Sequence, residues 1–538
     1  MQIVKEYQII CIRDGEERTF TCRENEPLLD ALTRQGVYIS AACGGKGRCG
    51  KCGVRFLQGM TEITEADRQF FSEEQLSEGM RLSCEAYLQE NCRIEIESGD
   101  EADFDVVSDY REKDETAEQR TESVSGSGNV TGEIAIDIGT TTIAVSLIDA
   151  DSGEISHTVT GINHQRAYGA DVISRIQAAN DGKLRDLSRS IRRDLYEMIC
   201  RLIEETGMKL SGIRRIAVAG NTTMGHLLMG YSCETLGVYP FEPVNISTIE
   251  TDFEALFAEV REEKGECKED VSIPVILLPG ISTYVGADIS AGLLSCGFDR
   301  SETVNVLIDL GTNGEMAIGN RDKILVTSTA AGPAFEGGNI SCGMGSVPGA
   351  ICQVEMNGTD VTCQTIGEKP PLGLCGTGVI ETAYELLKEE WIDESGMLDE
   401  DYFDEGFVLG KTPAGEKISF TQKDVREIQL AKAAVRAGLE TLMLRYGVTC
   451  NDIGTLYLAG GFGFHLNLEK AAGIGLIPKE LQNRAEAVGN SSLGGAAAWL
   501  TEPGAAERME RIVAVSEEVQ LGSDKDFNQF YMDEMFFE

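Results

Sequence analysis

The chain has 538 residues and a formal net charge of −42, so it is too long for one domain and strongly acidic. Such a surface would repel a phosphate backbone, which excludes DNA and RNA as partners. No apolar run approaches the ~20 residues of a membrane span, and we expect no signal peptide. The 16 cysteines are dispersed except for one dense group. We therefore expect a cytoplasmic protein in a reducing compartment, without membrane contact.

The N-terminal region predicts a small domain made of a hairpin, a helix and two later strands. Residues 7–13 and 18–22 have strand character and are joined by an Asp-Gly turn, which is typical of a hairpin. Asn25 is the expected N-cap of the helix, with Pro27 in its first turn. Three cysteines in strand-like runs are predicted to be buried small hydrophobes: Cys11, Cys22 and Cys92.

The dense cysteine group follows this helix. Cys43, Cys49 and Cys52 lie in a glycine-rich run with the spacing C-x5-C-x2-C, and Cys84 follows alone. A [2Fe–2S] cluster needs four thiolates, and glycine lets backbone N–H groups approach its bridging sulfides. A structural zinc site is the alternative, although zinc usually pairs two C-x2-C arms. The spacing and the element order resemble β-grasp ferredoxins of the adrenodoxin type, which implies these four cysteines as cluster ligands.

A linker is predicted over residues 99–131. The segment is rich in Asp and Glu and ends in Ser-Gly repeats, so few of its residues could pack into a core. Such a composition is typical of a flexible, self-repelling tether. We expect it to separate the first domain, residues 1–98, from the rest of the chain.

A strand–turn–strand unit with phosphate-binding character begins directly after the linker. Two apolar strands flank a D-x-G-T-T-T turn that contains Asp137, Gly139, Thr140 and Thr141. Such a turn offers N–H groups and hydroxyls to phosphates, and its aspartate suits a hydrated Mg²⁺ ion. Taken alone, a plain β-hairpin explains the same pattern.

A second copy of this unit supports the phosphate interpretation. Asp309 begins another D-x-G-T turn between apolar strands, and Glu315 follows it. Two copies indicate an internal duplication in which each half carries one phosphate turn. The other candidate residues of the second turn are Gly311, Thr312, Asn313 and Gly314.

Two helices rich in small residues, near 286–294 and 494–500, are expected to cross closely, as a hinge between two lobes requires. Between them a strand ends at Gly460 and Gly461. Adenosine is flat and could lie against that glycine backbone.

The order phosphate turn, helix, phosphate turn, adenosine turn, helix resembles the acetate and sugar kinase, heat-shock chaperone and actin superfamily over residues 132–505. The resemblance implies two lobes with duplicated ribonuclease-H-like cores, and ATP with Mg²⁺ in the cleft between them. It implies that Asp137 and Asp309 bind magnesium or position water. The general base is left open among Asp137, Asp309 and Glu315.

A ferredoxin domain tethered to such an ATPase resembles the reductive activators of corrinoid proteins. Further runs carry this resemblance, including N-H-Q-R-A-Y-G-A-D from residue 163 and A-G-P-A-F-E-G from residue 331. The family implies an ATP-dependent iron–sulfur activase. It would pass one electron from the [2Fe–2S] cluster to an inactive cobalt(II) corrinoid protein, giving cobalt(I). An unknown low-potential electron donor is implied, and a homodimer is compatible with the resemblance.

Two other functions stay open. One is a redox-gated nucleotide-binding sensor module, and the other is an ATP-driven electron activator of a different low-potential acceptor. A cluster near roughly −400 mV cannot readily reduce a corrinoid to cobalt(I), so ATP would have to bias a conformational equilibrium.

The predicted fold class is α/β multidomain. Its expected parts are a β-grasp ferredoxin domain (1–98), a flexible acidic linker (99–131), two actin-like ATPase lobes (132–300 and 301–505), and a tail packed on the lobes (506–538).

Overall fold

The structure is a computed structural model that describes residues 5–13, 15–39, 41, 43–96, 131–264, 272–460 and 466–537. The predicted linker lies outside these residues except for Thr131, and Gly461 of the predicted adenosine turn also lies outside them. The largest sheets have five, six and six strands. Across the described ranges, no helix has the length and apolar character needed to cross a bilayer.

The N-terminal domain is a five-stranded mixed sheet with a helix packed on it. Its elements are β1 (Glu6–Arg13), β2 (Glu16–Arg23), α1 (Leu28–Arg34), β3 (Gly53–Gln58), α2 (Glu65–Phe70), α3 (Glu73–Ser77), β4 (Met80–Leu82) and β5 (Cys92–Glu95). The strand order is β2-β1-β5-β3-β4, and β1 runs parallel to β5. This topology agrees with the predicted β-grasp fold.

The β1–β2 hairpin agrees with its sequence prediction, whereas the start of α1 does not. Arg13 pairs with Glu16, so a two-residue turn joins β1 to β2 as predicted. The predicted helix cap is wrong, because Asn25 has left-handed φ (65°) and α1 begins only at Leu28. Pro27 precedes the first helical residue, and its fixed φ favours a helix start at that point.

The second unit, here called lobe I, has a six-stranded sheet. Its elements are β6 (Gly132–Ile138), β7 (Thr142–Asp149), β8 (Ile155–Ile162), α4 (Val172–Ala178), α5 (Leu184–Thr206), β9 (Ile213–Gly220), α6 (Thr222–Met229), β10 (Ile249–Asp252), α7 (Phe253–Lys264), β11 (Pro274–Leu277) and α8 (Ala287–Ser295). The order is β10-β11-β9-β6-β7-β8. Strands β6 to β8 are antiparallel, whereas β9 is parallel to β6 and β11 is parallel to β9.

The third unit, lobe II, repeats this plan with insertions. Its elements are β12 (Val304–Leu310), β13 (Gly314–Gly319), β14 (Ile324–Thr329), β15 (Ala350–Asn357), β16 (Asp360–Thr365), β17 (Gly373–Leu374), α9 (Gly376–Lys388), β18 (Phe407–Lys411), β19 (Lys417–Phe420), α10 (Gln422–Tyr446), β20 (Ile453–Gly460), α11 (Leu468–Gly473), β21 (Ala485–Gly489), α12 (Ser491–Thr501), α13 (Ala505–Val515), β22 (Ser516–Glu518) and α14 (Lys525–Asp533). The main sheet has the order β21-β20-β12-β13-β14-β22. Again three antiparallel strands precede parallel ones, which confirms the duplication.

Helices α8 and α12 cross between the two sheets. A Cβ atom placed on Gly292 of α8 would lie 2.8 Å from the Ser491 Oγ, and one on Gly495 of α12 would collide with the Ala291 backbone. The predicted close crossing of small-residue helices is therefore confirmed. The hinge motion that it would permit stays a prediction.

The C-terminal residues are part of lobe II. Strand β22 pairs in parallel with β14 at the edge of the main sheet. Phe537 is 3% exposed and belongs to the lobe II core. The fully buried Lys432 donates from Nζ to the Phe536 carbonyl at 2.6 Å. These contacts fix the last described residues onto α10.

Candidate functional site

The cysteine loop between α1 and β3 is shaped by glycine. Four of its glycines have φ between 65° and 77°, a range that other residues adopt only with strain. A Cβ atom on Gly45 would lie 3.8 Å from that of Cys84, so the loop closes tightly over the turn that carries this cysteine. The four glycines are Gly44, Gly45, Gly47 and Gly50.

The four predicted ligands meet as two pairs of thiols. The Sγ atoms of Cys52 and Cys84 are 3.3 Å apart, and a side-chain hydrogen bond joins Cys43 to Cys49. A binuclear cluster with four thiolates needs two ligands on each iron. Two separate thiol pairs match the two irons of a [2Fe–2S] cluster, whereas one zinc ion would draw all four thiolates around itself.

The paired thiols of Cys52 and Cys84 also shift each other's pKa. The hydrogen bond between the two thiols is the main cause that lowers the pKa of Cys52 to about 6, and the same bond raises the pKa of Cys84. Metal binding requires thiolates, and the lowered pKa of Cys52 favours that form. The other cysteines of the domain are core residues, as predicted: Cys11, Cys22 and Cys92 are 2%, 0% and 4% exposed.

The first phosphate turn joins β6 to β7 and is held from two sides. Asp137 accepts hydrogen bonds from the Asn490 Nδ2 (2.8 Å) and the Ser492 Oγ (2.6 Å), which lie at the start of α12 in lobe II. Burial raises the pKa of Asp137, and these two bonds oppose that effect. The contact therefore links the two lobes through one carboxylate.

Three polar side chains of lobe I fix the backbone of this turn. Asn163 Nδ2 donates to the Gly139 carbonyl (2.9 Å), and Arg175 Nη2 donates to the Thr140 carbonyl (2.6 Å). Asn221 Nδ2 donates to the Thr140 Oγ1 at 3.1 Å. With these carbonyls occupied, the N–H groups and hydroxyls of the turn remain for an anion.

The second phosphate turn joins β12 to β13 and is surrounded by acids. Asp309 lies directly opposite Glu315 across the antiparallel pair. Thr312 Oγ1 donates to the Glu336 Oε2 at 2.7 Å. A Cβ atom on Gly460 would lie 3.0 Å from the Asp309 Oδ1, so this glycine lets β20 approach the turn.

Five carboxyl groups are buried together around the two turns. Burial, followed by repulsion from Asp288 and Asp137, raises the pKa of Asp309 to about 8. Burial, then Asp137, raises that of Asp288 to about 7, and burial also raises the pKa values of Glu315 and Glu336. Buried carboxylates need a compensating cation, and oxygen ligands are those that Mg²⁺ prefers. A hydrated Mg²⁺ ion beside phosphates would meet these groups through its waters, because no three of the described metal-binding side chains gather closely enough to ligate one ion directly.

A cavity of about 560 Å³ opens between the lobes beside the second turn. Asn313 and Glu315 of lobe II face Asn221 of lobe I across it. Of the predicted site residues, Asn313 and Glu315 line this cavity, and Asp137 of the first turn lies close enough to Asp309 of the second to repel it.

Sequence reasoning missed several residues of this site. Asp288 lies on the small-residue helix α8 and Glu336 lies in the A-G-P-A-F-E-G run, so both were visible without an assigned role. Asn490 and Ser492 belong to no phosphate motif. Their only signal is the position of Asn490 as a helix N-cap before the small-residue helix α12.

Three known families match successive parts of the chain. Residues 12–89 match the 2Fe-2S iron–sulfur cluster binding domain, residues 133–301 match the RACo middle region, and residues 303–538 match the C-terminal domain of RACo, the ASKHA domain. These boundaries agree with the three sheets.

Proteins that activate or reduce corrinoid proteins are similar to this chain over most of its length. The corrinoid activation enzyme RamQ of Eubacterium limosum is 32% identical over 74% of this chain and 69% of its own. The [Co(II) methylated amine-specific corrinoid protein] reductase of Methanosarcina barkeri is 28% identical over 75% of this chain and 76% of its own. A solved reductive activator for a corrinoid, iron–sulfur protein shares 27% identity and a TM-score of 0.69 over 99% of this chain and 98% of its own. The chain therefore belongs to the RACo family of ATP-dependent reductive activators of corrinoid proteins, with a 2Fe-2S ferredoxin domain ahead of its ASKHA domain.

Proposed function

We propose that this chain reduces the cobalt(II) state of a methylated-amine-specific corrinoid protein to cobalt(I), using MgATP bound between its lobes. The partner is suggested by the Methanosarcina barkeri relative, whose substrate is such a protein. The observation that carries the nucleotide half is the meeting of two phosphate turns and five buried carboxyl groups in one cleft.

In the ferredoxin domain we assign Cys43, Cys49, Cys52 and Cys84 as ligands of the cluster. The two thiol pairs and the glycine loop support this set. When bound, the cluster supplies a one-electron donor of low potential. The cysteines hold it close to the surface, since Cys43 and Cys49 are only half-buried.

In the cleft we assign the two turns to the phosphates of ATP. The hydroxyls of Thr140 and Thr141 and the N–H groups around Thr312 and Asn313 suit phosphate oxygens. Asp137 and Asp309, with Glu315 beside them, would hold Mg²⁺, which supplies positive charge next to the phosphates. We assign Gly460, at the end of β20, to the adenosine side of the nucleotide; its missing side chain lets β20 pack against the second turn.

We assign Asp309 as the general base for the attacking water. Its carboxyl group lies at the second phosphate turn, directly opposite Glu315, where it can take a proton from a water beside the phosphates. Asp137 differs because both of its carboxyl oxygens accept hydrogen bonds from lobe II. It suits a positioning role that also senses whether the lobes are closed.

The test follows cobalt(I) formation. The anaerobically purified, reduced protein is mixed with a cobalt(II) methylamine-specific corrinoid protein, with and without MgATP, and the visible spectrum is recorded. We expect cobalt(I) only with MgATP. Equal cobalt(I) without ATP would contradict the coupling, and no cobalt(I) despite ATP binding would favour another acceptor or the sensor function.

The matched variant pair is Cys84→Ser and Cys200→Ser. The first removes a proposed cluster ligand and should abolish cobalt(I) formation while MgATP binding continues. Cys200 is exposed on α5 and lies outside both sites, so its variant should behave as wild type. Normal cobalt(I) formation by Cys84→Ser would refute the ligand assignment.

A further inference from the structure

The ferredoxin domain lies directly against lobe I. Lys183 Nζ donates to the Asp30 Oδ2 of helix α1 at 2.5 Å. The ring of Tyr38 stacks on that of His164, with centroids 4.2 Å apart and planes at 25°. Both lobe I residues come from the stretch between β8 and α5, so this stretch forms the docking face for the ferredoxin domain.

The same face touches the cysteine loop itself. A Cβ atom on Gly44 would lie 2.7 Å from the Tyr168 carbonyl oxygen, so the loop and the lobe are in backbone contact there. Lys46 lies 4.0 Å from Asp181. In the docked arrangement, the loop next to Cys43 is therefore covered on the Tyr168 side.

The contact is polar, as reversible domain contacts commonly are. A cleft of about 1070 Å³ runs between the two domains and is lined mainly by charged side chains. On the lobe I side of this cleft, α5 and α7 are joined by ion pairs of Arg193 with Glu263 and Lys264 with Glu197.

The docking face is also tied to the first phosphate turn. We call residues 163–175 the relay segment. At its start, the Asn163 N–H donates to the Thr141 carbonyl at 2.9 Å. At its end, Arg175 donates from Nη2 to the Thr140 carbonyl (2.6 Å) and from Nε to the Gly169 carbonyl (2.9 Å).

Arg175 is the central group of this segment. Its side chain is fully buried, and burial lowers its pKa to about 9. One guanidinium therefore binds the phosphate turn and the Tyr168–Gly169 backbone at the same time. An anion in the turn attracts this buried cation and competes with Gly169 for it.

We propose that nucleotide bound at the first phosphate turn releases the ferredoxin domain from lobe I, with Arg175 as the positioning residue that links the two events. The proposal rests on the proposed function, because it requires the turn to bind the phosphates of ATP. Release uncovers the loop next to Cys43, so the domain becomes free to meet a partner. By reciprocity, loosening the docked contact must strengthen nucleotide binding.

The first test measures amide hydrogen exchange of the full chain with and without Mg²⁺ and the non-hydrolysable analogue AMPPNP. Residues 43–52 and 164–169 should exchange faster with the analogue, since the contact between them opens. Binding of the analogue is measured in the same samples. Unchanged or slower exchange despite binding would overturn this proposal and leave the proposed function intact. Absence of binding would overturn both.

The second test uses the ion pair. Lys183→Glu should weaken docking and lower the Kd of AMPPNP by about 2- to 5-fold, and the exchanged pair Asp30→Lys with Lys183→Glu should restore it. Lys209→Glu makes the same charge change at the far end of α5 and should have no such effect. Equal Kd values for wild type and Lys183→Glu would contradict the coupling.

Arg175 itself is tested by Arg175→Gln. At AMPPNP concentrations that saturate the variant, the exchange of residues 43–52 should no longer respond to the analogue. A purely structural role would change thermal stability and leave that response in place, which would overturn the role assigned to Arg175.

Discussion

The two phosphate turns share one strand–turn–strand frame but have opposite surroundings. The turn in lobe I is held by amide and guanidinium donors from Asn163, Arg175 and Asn221. The turn in lobe II is surrounded by carboxyl groups, with Asp309 and Glu315 across one strand pair and Glu336 on the Thr312 hydroxyl. Duplication preserved the backbone and allowed the electrostatics to diverge.

The difference separates two tasks. The donor-rich turn suits anion binding, and the relay segment connects it to the docking face for the ferredoxin domain. The acid-rich turn suits a metal ion and proton transfer. Asp137 is the exception that joins them, because its carboxylate belongs to the first turn and its hydrogen-bond donors belong to lobe II. Single substitutions and changes of pH test this division.

The largest effect is expected for Asp309→Asn in the acid-rich turn. Loss of the assigned general base should lower kcat for MgATP hydrolysis by about 10²- to 10⁴-fold, measured by phosphate release. Asp322→Asn lies on the same sheet at the exposed β13–β14 turn and serves as the control. Activity within tenfold of wild type would move the base to Glu315 or Asp137.

The next effect is expected for Ser492→Ala, which removes one donor to Asp137. A hydrogen bond to a charged group contributes about 1.5–3 kcal/mol, so kcat/KM for ATP should fall roughly 10- to 100-fold. The neighbour Ser491 is the matched control, because its buried Oγ has no hydrogen-bond partner in the structure. Equal losses in both variants would assign the effect to helix packing.

A smaller effect, stronger ATP binding instead of a loss of activity, is expected for Glu336→Gln. Removing one negative charge from the acid-rich turn should strengthen metal-free ATP binding by on the order of tenfold, while the benefit of adding Mg²⁺ shrinks. Titration of ATP with and without Mg²⁺ measures both. Glu355→Gln, exposed on β15, is the control, and unchanged metal dependence in Glu336→Gln would contradict the division.

The smallest effect is a pH-dependent stability change. The pKa values of Asp288 (about 7) and Asp309 (about 8) lie above the ordinary 3.8, so the folded chain retains protons that the unfolded chain releases. Metal-free stability should therefore fall as pH rises from about 4 to 8, and Mg²⁺ should oppose the fall. Thermal melting at several pH values, with and without Mg²⁺, should show a drop of a few degrees that Asp309→Asn reduces.

The sequence predicted features that local residues encode. Each D-x-G-T turn is contiguous, and the cysteine spacing is contiguous except for Cys84, so a motif could indicate both sites. The close crossing of α8 and α12 was likewise predictable, because it depends on the small residues within each of these helices.

Features made by long-range contacts were harder to see. Asp288 and Ser492 reach the cleft only because two distant helices cross there, and no spacing rule connects them to Asp137. Asn25 failed as a cap for a local reason, since Pro27 already sets the backbone for the helix start. The docking face for the ferredoxin domain had no signal, because charged surface residues do not reveal their partners.

The burial of Phe537 has a consequence for synthesis on the ribosome. This residue packs in the same core as strand β12, and Lys432 donates to the carbonyl just before it. Lobe II therefore cannot finish its core until residue 537 has emerged, whereas the ferredoxin domain is complete after residue 96. In stalled nascent chains that end before α14, we expect the ferredoxin domain to resist protease. Lobe II of the same chains should still be cleaved. Such chains could acquire a cluster before they could acquire a nucleotide.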